Sequence, residues 1–128
     1  MPNFHPKIVF LDAGTFYGQP SLEKILQPYG NVAIFEETRP EEVLPRISDA
    51  DIVLTNKVLI DERIFNNCPK LKLICVTATG TNNIDLEAAN KKNIQVKNAA
   101  GYSTHSVAQT TVAMVLHLVM RLHERHSF

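Results

Sequence analysis

The chain has 128 residues, 45% of them apolar, which suits one packed domain or one domain and part of a second, and excludes a disordered or collagen-like chain. Thirteen basic residues offset thirteen acidic ones, and no run of Lys or Arg exceeds Lys91–Lys92, which excludes a basic nucleic-acid stripe and a polybasic membrane patch. Cys68 and Cys75 have neither CxxC nor Cys/His metal spacing, so reduced thiols in a cytoplasmic protein are expected.

Short β-rich runs alternate with helical patterns, the signature of βα units around a parallel sheet. Residues 7–11 (KIVFL) read as the first strand, and residues 12–20, with Gly14, Gly18 and Pro20, as a loop. Residues 21–29 have helical spacing with Leu22, Ile25 and Leu26 on one face, and Gly30 stops that helix. The second strand is residues 31–35 (NVAIF). Thr38 and Glu41 then have capping-box spacing for a short helix toward Ile47, with Pro45 as a potential break. Residues 51–55 (DIVLT) form the third strand and 61–66 a turn or two of helix. The fourth strand, residues 71–77 (LKLICVT), is apolar enough to be central and buried on both faces. Asp85 is the expected N-cap of a helix over 86–92, followed by a fifth strand at 95–97. Right-handed crossovers between five parallel strands give an α/β, flavodoxin-like fold of order 2-1-3-4-5, with helices on both faces and a long C-terminal helix beginning at Thr104.

In such a sheet, ligands bind at the carboxyl ends of the strands, near the point where strand order reverses. Three segments reach that edge: residues 12–18, 55–57 and 78–83. Around Thr79, Gly80 and Thr81, a glycine that permits positive φ lets consecutive N–H groups converge on an anion such as a carboxylate, although a turn needing Gly only for its conformation reads the same way. Asn56 and Lys57 could orient and neutralise a small anionic substrate, or be a solvated loop. Ser103 and Thr104 precede the long helix, where a hydroxyl caps backbone N–H groups, helps hold a cofactor, or does both. His105, His117, His123 and His126 have no carboxylate pattern beside them, so solvated imidazoles are expected and no metal site.

The last helix is apolar nearly all round. Val107, Thr111, Met114, Val115, Leu118 and Leu122 form one stripe, while Val112, Leu116, Val119 and Met120 cover other faces. A small five-stranded domain can bury one side. The other calls for a second domain, a partner subunit, or both, and self-association through the 104–125 helix, about a hinge at residues 99–101, is expected.

Residues 79–85 (TGTNNID) with LEAANKKNIQV, residues 98–109 (NAAGYSTHSVAQ), and residues 54–61 (LTNKVLID) together resemble the D-isomer-specific 2-hydroxyacid dehydrogenases, closest to their glycerate dehydrogenase and hydroxypyruvate reductase members. The resemblance covers essentially the whole chain. It departs at Ala100, where the family's crossing segment usually has proline, and at Gln109, where it usually has glutamate.

The resemblance implies an oxidoreductase that transfers hydride between NAD or NADP and a small 2-oxo or 2-hydroxy acid. It implies that the backbone of Thr79 and Gly80 holds the substrate carboxylate, with Thr81, Asn56 and Lys57 in the same pocket. Thr79, Thr104 and Val107 would lie near the nicotinamide. No catalytic residue of the family is placed in this sequence, because its arginine, histidine and acidic residue lie downstream of a dinucleotide fingerprint. The five glycines (Gly14, Gly18, Gly30, Gly80, Gly101) contain no GxGxxG spacing. The expected organisation is a substrate-binding domain over 1–100 and the first helix of a truncated NAD-binding Rossmann domain over 101–128. The competing reading is a non-catalytic flavodoxin-like binding or interaction module.

Overall fold

The computed structural model describes residues 5–16 and 21–120. The parallel sheet has the expected order, β2-β1-β3-β4-β5, from β1 (Lys7–Phe10), β2 (Asn31–Ile34), β3 (Ile52–Thr55), β4 (Leu73–Val76) and β5 (Gln95–Asn98). Between them lie α1 (Leu22–Leu26), α2 (Pro40–Ile47), α3 (Glu62–Asn66) and α4 (Leu86–Lys91), and α5 (Thr104–Val119) follows β5. The residues at 17–20, including Gly18 and Pro20, and at 121–128, including Leu122, His123 and His126, lie outside the described residues.

The crossovers decide which face is covered. The connections β2 to β3, β3 to β4 and β4 to β5 advance in one direction across the sheet, and β1 to β2 goes the other way. With right-handed crossovers, α2, α3 and α4 therefore share one face and α1 takes the opposite one. On the first face Val9, Leu11, Val53, Ile74 and Val76 pack with Val43, Ile47, Ile64, Phe65, Ala88 and Ala89, all buried. On the second face Ile8 and Phe10 are buried, Phe10 with its ring edge-to-face against Phe16.

That asymmetry corrects the expectation for the fourth strand. Ile74 and Val76 are buried but Leu73 and Cys75 are only half-buried, so β4 is not covered on both faces. Its apolar run reflects a strand one position from the sheet edge, and the neighbouring Gln95 and Lys97 of β5 are exposed. In α1, Leu22 and Leu26 turn inward, whereas Ile25 is 51% exposed and off the expected face.

Helix caps follow local chemistry, with one shift. The Asp61 and Asp85 carboxylates accept from the Ile64 and Ala88 N–H groups at 3.1 and 2.9 Å, tying down helix N-termini as expected for Asp85. Thr38 is not the cap of α2. Pro40, with φ preset and no N–H to lose, starts that helix one residue later, so Arg39 is the N-cap and its N–H donates to the Glu42 carboxylate at 2.9 Å. The buried Thr38 hydroxyl instead donates to the Leu11 carbonyl and accepts from Arg46. Pro45 does not break the helix, which reaches Ile47.

The long helix departs most from expectation. No residue of α5 is buried, so the domain covers neither side of it. Gly101, at φ +73°, supplies the left-handed turn after β5 that most side chains disfavour, and the helix then runs about 24 Å without burying a side chain.

Cys68 sits in the core at 2% exposure, and burial pushes its thiol up from an ordinary 9.0 to about 11. An unfolded chain would ionise that thiol first, so stability should fall as pH rises from about 9 to about 11. Urea midpoints across that range, measured beside Cys68→Ala, check this: the variant should lose less stability than wild type, and parallel curves would refute the assignment.

Candidate functional site

Strand order reverses between β1 and β3, and the segments after these strands are joined there by one side chain. Asp12, 6% exposed, follows β1. Its Oδ1 accepts from the Asn56 N–H at 2.8 Å, and its Oδ2 accepts from the Lys57 N–H at 2.7 Å and the Asn56 N–H at 3.1 Å. The same loop is held from its carbonyl side by Asn83, whose Nδ2 donates to the Val58 carbonyl at 3.0 Å and the Asn56 carbonyl at 3.5 Å. The Ile60 N–H returns a bond to the Asn83 carbonyl at 2.9 Å, and the Asp85 N–H donates to the Ile60 carbonyl at 3.1 Å. Residues 56–60 are thus clamped through both their donors and their acceptors.

Asn56 and Lys57 line a cavity of about 890 Å³ together with Asp12, Gly14, Glu36 and Glu37. Asn56 also borders a second cavity of about 590 Å³, lined by Phe16, Cys75, Thr77, Asn98 and Tyr102. The side chain of Lys57 is exposed, and it brings a positive charge to an edge otherwise rich in carboxylates.

The turn after β4 has a different character. The Thr77 N–H donates to the Thr55 carbonyl at 2.8 Å, Asn98 Nδ2 donates to the Thr79 carbonyl at 2.6 Å, and the Thr79 hydroxyl donates to the Ala99 carbonyl at 3.4 Å. The Ala78, Thr79 and Thr81 carbonyls each accept a bond, and the Thr79 hydroxyl proton is engaged. Among the described residues nothing accepts the backbone N–H groups of Thr79, Gly80 and Thr81. Unpaired donors at a strand's carboxyl end are open to a hydrogen bond with water or with an anion. Gly80 does not contribute through positive φ, since among the described glycines only Gly101 adopts it. A Cβ at Gly80 would meet only the tip of the Asn82 side chain, at 3.1 Å. The glycine therefore keeps the turn open, and the backbone conformation does not demand it.

The structure brings the two loops together through Asn83 and Thr77, but neither cavity described above includes Thr79, Gly80 or Thr81. Thr104 and Val107 stand on the exposed α5, with Val107 60% exposed and bordering a shallow groove with Ser106, Thr110 and Thr111. The Ser103 hydroxyl makes no capping bond, contrary to the capping role open to it in the sequence. Among the described residues no group of three His, Cys, Asp or Glu side chains could hold a metal, and no helix is long and apolar enough to cross a membrane.

The sequence placed Asp12 and Asn83 in segments that reach the ligand edge but assigned neither a role of its own, nor one to Asn98. The available signal for Asp12 was an acidic residue placed directly after an apolar strand at the ligand edge. For the two asparagines it was a short amide beside a turn, able to satisfy backbone groups that no ladder pairs.

The chain is similar to several known proteins. The chain is 39% identical over 116 residues to a hydroxypyruvate reductase of Blautia hydrogenotrophica, covering 88% of this chain and 36% of the relative. It is 32% identical to a glycerate dehydrogenase of Methylorubrum extorquens, covering 88% and 35%. The NAD+-bound crystal structure of a 3-phosphoglycerate dehydrogenase of Entamoeba histolytica superposes with a TM-score of 0.75 at 28% identity, over 89% of this chain and 39% of that one. The chain thus spans little more than a third of the length of these relatives. With the model for the D-isomer specific 2-hydroxyacid dehydrogenase catalytic domain matching residues 8–117, the chain belongs to that family.

Proposed function

We propose that this chain is the substrate-binding part of an NAD- or NADP-dependent oxidoreductase acting on the CH–OH group of small D-2-hydroxy acids, of the glycerate, hydroxypyruvate or glyoxylate kind. Residues 1–100 form the substrate-binding domain, and residues 101–128 begin the cofactor domain. The observation that carries this reading is the run of N–H groups at Thr79, Gly80 and Thr81 that lack acceptors among the described residues, next to a clamped loop bearing Asn56 and Lys57. The turn would take the substrate carboxylate, and the Lys57 ammonium would add attraction for it. The positions assigned to the nicotinamide side are Thr79, Thr104 and Val107. A cytoplasmic location goes with this reading and suits two cysteines that stay unbridged. So does a homodimer formed through the apolar α5.

An NMR titration with glycerate tests the site. The turn lies open to water, where screening weakens each contact, so binding should be about millimolar, or about 4 kcal/mol. The amides of Thr79, Gly80 and Thr81 should move first and Lys57 with them. Shifts confined to other regions, with Gly80 unmoved, would remove the site assignment.

A further inference from the structure

We infer that Asp12 is a built-in anion that occupies the switch-point amides, fixes the loop carrying Asn56 and Lys57, and leaves the turn after β4 as the place for a substrate carboxylate. The inference deepens the reading proposed above and rests on it.

Open parallel sheets receive ligands in the crevice where strand order reverses, here between β1 and β3. The donors that would meet an anion in that crevice are the Asn56 and Lys57 N–H groups. Both already point at the Asp12 carboxylate, with three contacts between 2.7 and 3.1 Å. An incoming carboxylate would have to displace a tethered one and approach its negative charge, with Glu36 and Glu37 lining the same cavity. The next turn along the sheet has the opposite condition, with the N–H groups of residues 79–81 lacking acceptors among the described residues. The two turns differ in availability, not in backbone chemistry. The two peptides that Asp12 grips are also held from their carbonyl ends: the Thr77 N–H donates to the Thr55 carbonyl at 2.8 Å and Asn83 Nδ2 donates to the Asn56 carbonyl at 3.5 Å, with a further bond to Val58, which opposes rotation of their donors away from Asp12. Asp12 is on this account a positioning residue that never touches the substrate.

Removing the tethered carboxylate should therefore create a vacant acceptor site of the same chemistry, an outcome that a purely structural role would not produce. In Asp12→Ala, hydrogen exchange at the Asn56 and Lys57 amides should quicken about tenfold or more, while the Ala88 amide, held by Asp85, keeps its rate. Added acetate should return the Asn56 and Lys57 amide signals toward their wild-type positions in the variant and leave them unmoved in wild type. Glycerate should shift residues 79–81 in wild type, and in the variant it should also shift Asn56 and Lys57. Asp12→Asn, which keeps an acceptor without the charge, serves if the alanine variant does not fold. It should show the acetate response in reduced form. Acetate without effect on Asn56 and Lys57 in either folded variant, or glycerate titrations identical to wild type, would overturn the inference. Wild-type chain whose residues 79–81 ignore glycerate would instead overturn the proposed substrate site, with the acetate response still deciding whether Asp12 fills the switch-point amides.

Discussion

With Leu116 and Met120 both replaced by glutamate, the chain is expected to become a monomer, whereas the unaltered chain is expected to self-associate. Eight large apolar side chains on or ending α5 are about half to three-quarters exposed, from Met120 at 47% to Val119 at 75%. Leaving each such side chain in water forgoes roughly 1.5–3 kcal/mol relative to full burial. No residue of the helix is buried, so its apolar surface is available to a second copy. Two helices of this length packed ridge into groove would bury several of these side chains on each. After association costs, a dimer in the micromolar range, about 8 kcal/mol, is reasonable. Two buried carboxylates in the seam should weaken it by about a hundredfold or more. Light scattering across a concentration series reads this directly. Because α5 buries nothing of the domain, circular dichroism and the urea midpoint of the sheet domain should change little. A wild-type chain that stays monomeric at high concentration would show that the helix hides its apolar faces another way.

The second large effect concerns chemistry. The 128 residues by themselves are expected to give no NADH oxidation with hydroxypyruvate or glyoxylate. Hydride transfer needs the donor carbon held against the acceptor carbon, an arrangement worth effective molarities of roughly 10⁵–10⁸ M. It also needs a proton donor within hydrogen-bond reach, contributing roughly 10²–10⁴-fold. Among the described residues the side chains that bond to or border the candidate substrate turn are Thr79, Asn98 and Asn82, none of them a histidine or a carboxylate. Turnover in a preparation shown by mass spectrometry to contain nothing longer would refute the assignment of residues 1–100 as substrate-binding only.

The reach of the sequence can be traced element by element. Strand order was legible because four-residue apolar runs separated by helical spacing admit few right-handed arrangements, and 2-1-3-4-5 is one of them. Asp85 was legible as a cap because the interaction it makes spans three residues. Thr38 was misread because Pro40, one residue inside the true start, moves the boundary, and because a partner 27 residues away at Leu11 takes the hydroxyl. The site divides along the same line. Thr79, Gly80, Asn56 and Lys57 could be named from motif and edge position. The clamp could not, since Asp12 meets Asn56 and Lys57 across 44 and 45 residues of sequence, and Asn83 meets Val58 across 25.

By itself, then, the sequence determined the fold class, the edge at which ligands arrive and the family whose motifs it carries, because these depend on local periodicity and contiguous residues. Only the tertiary structure decided which backbone donors at that edge remain available and which sheet face is left thinly covered. It also decided that α5 buries no residue against its own domain. Hydrogen bonds saturate, and a donor taken by a residue 44 positions away is no longer offered to a ligand. That accounting exists only once the chain has closed on itself.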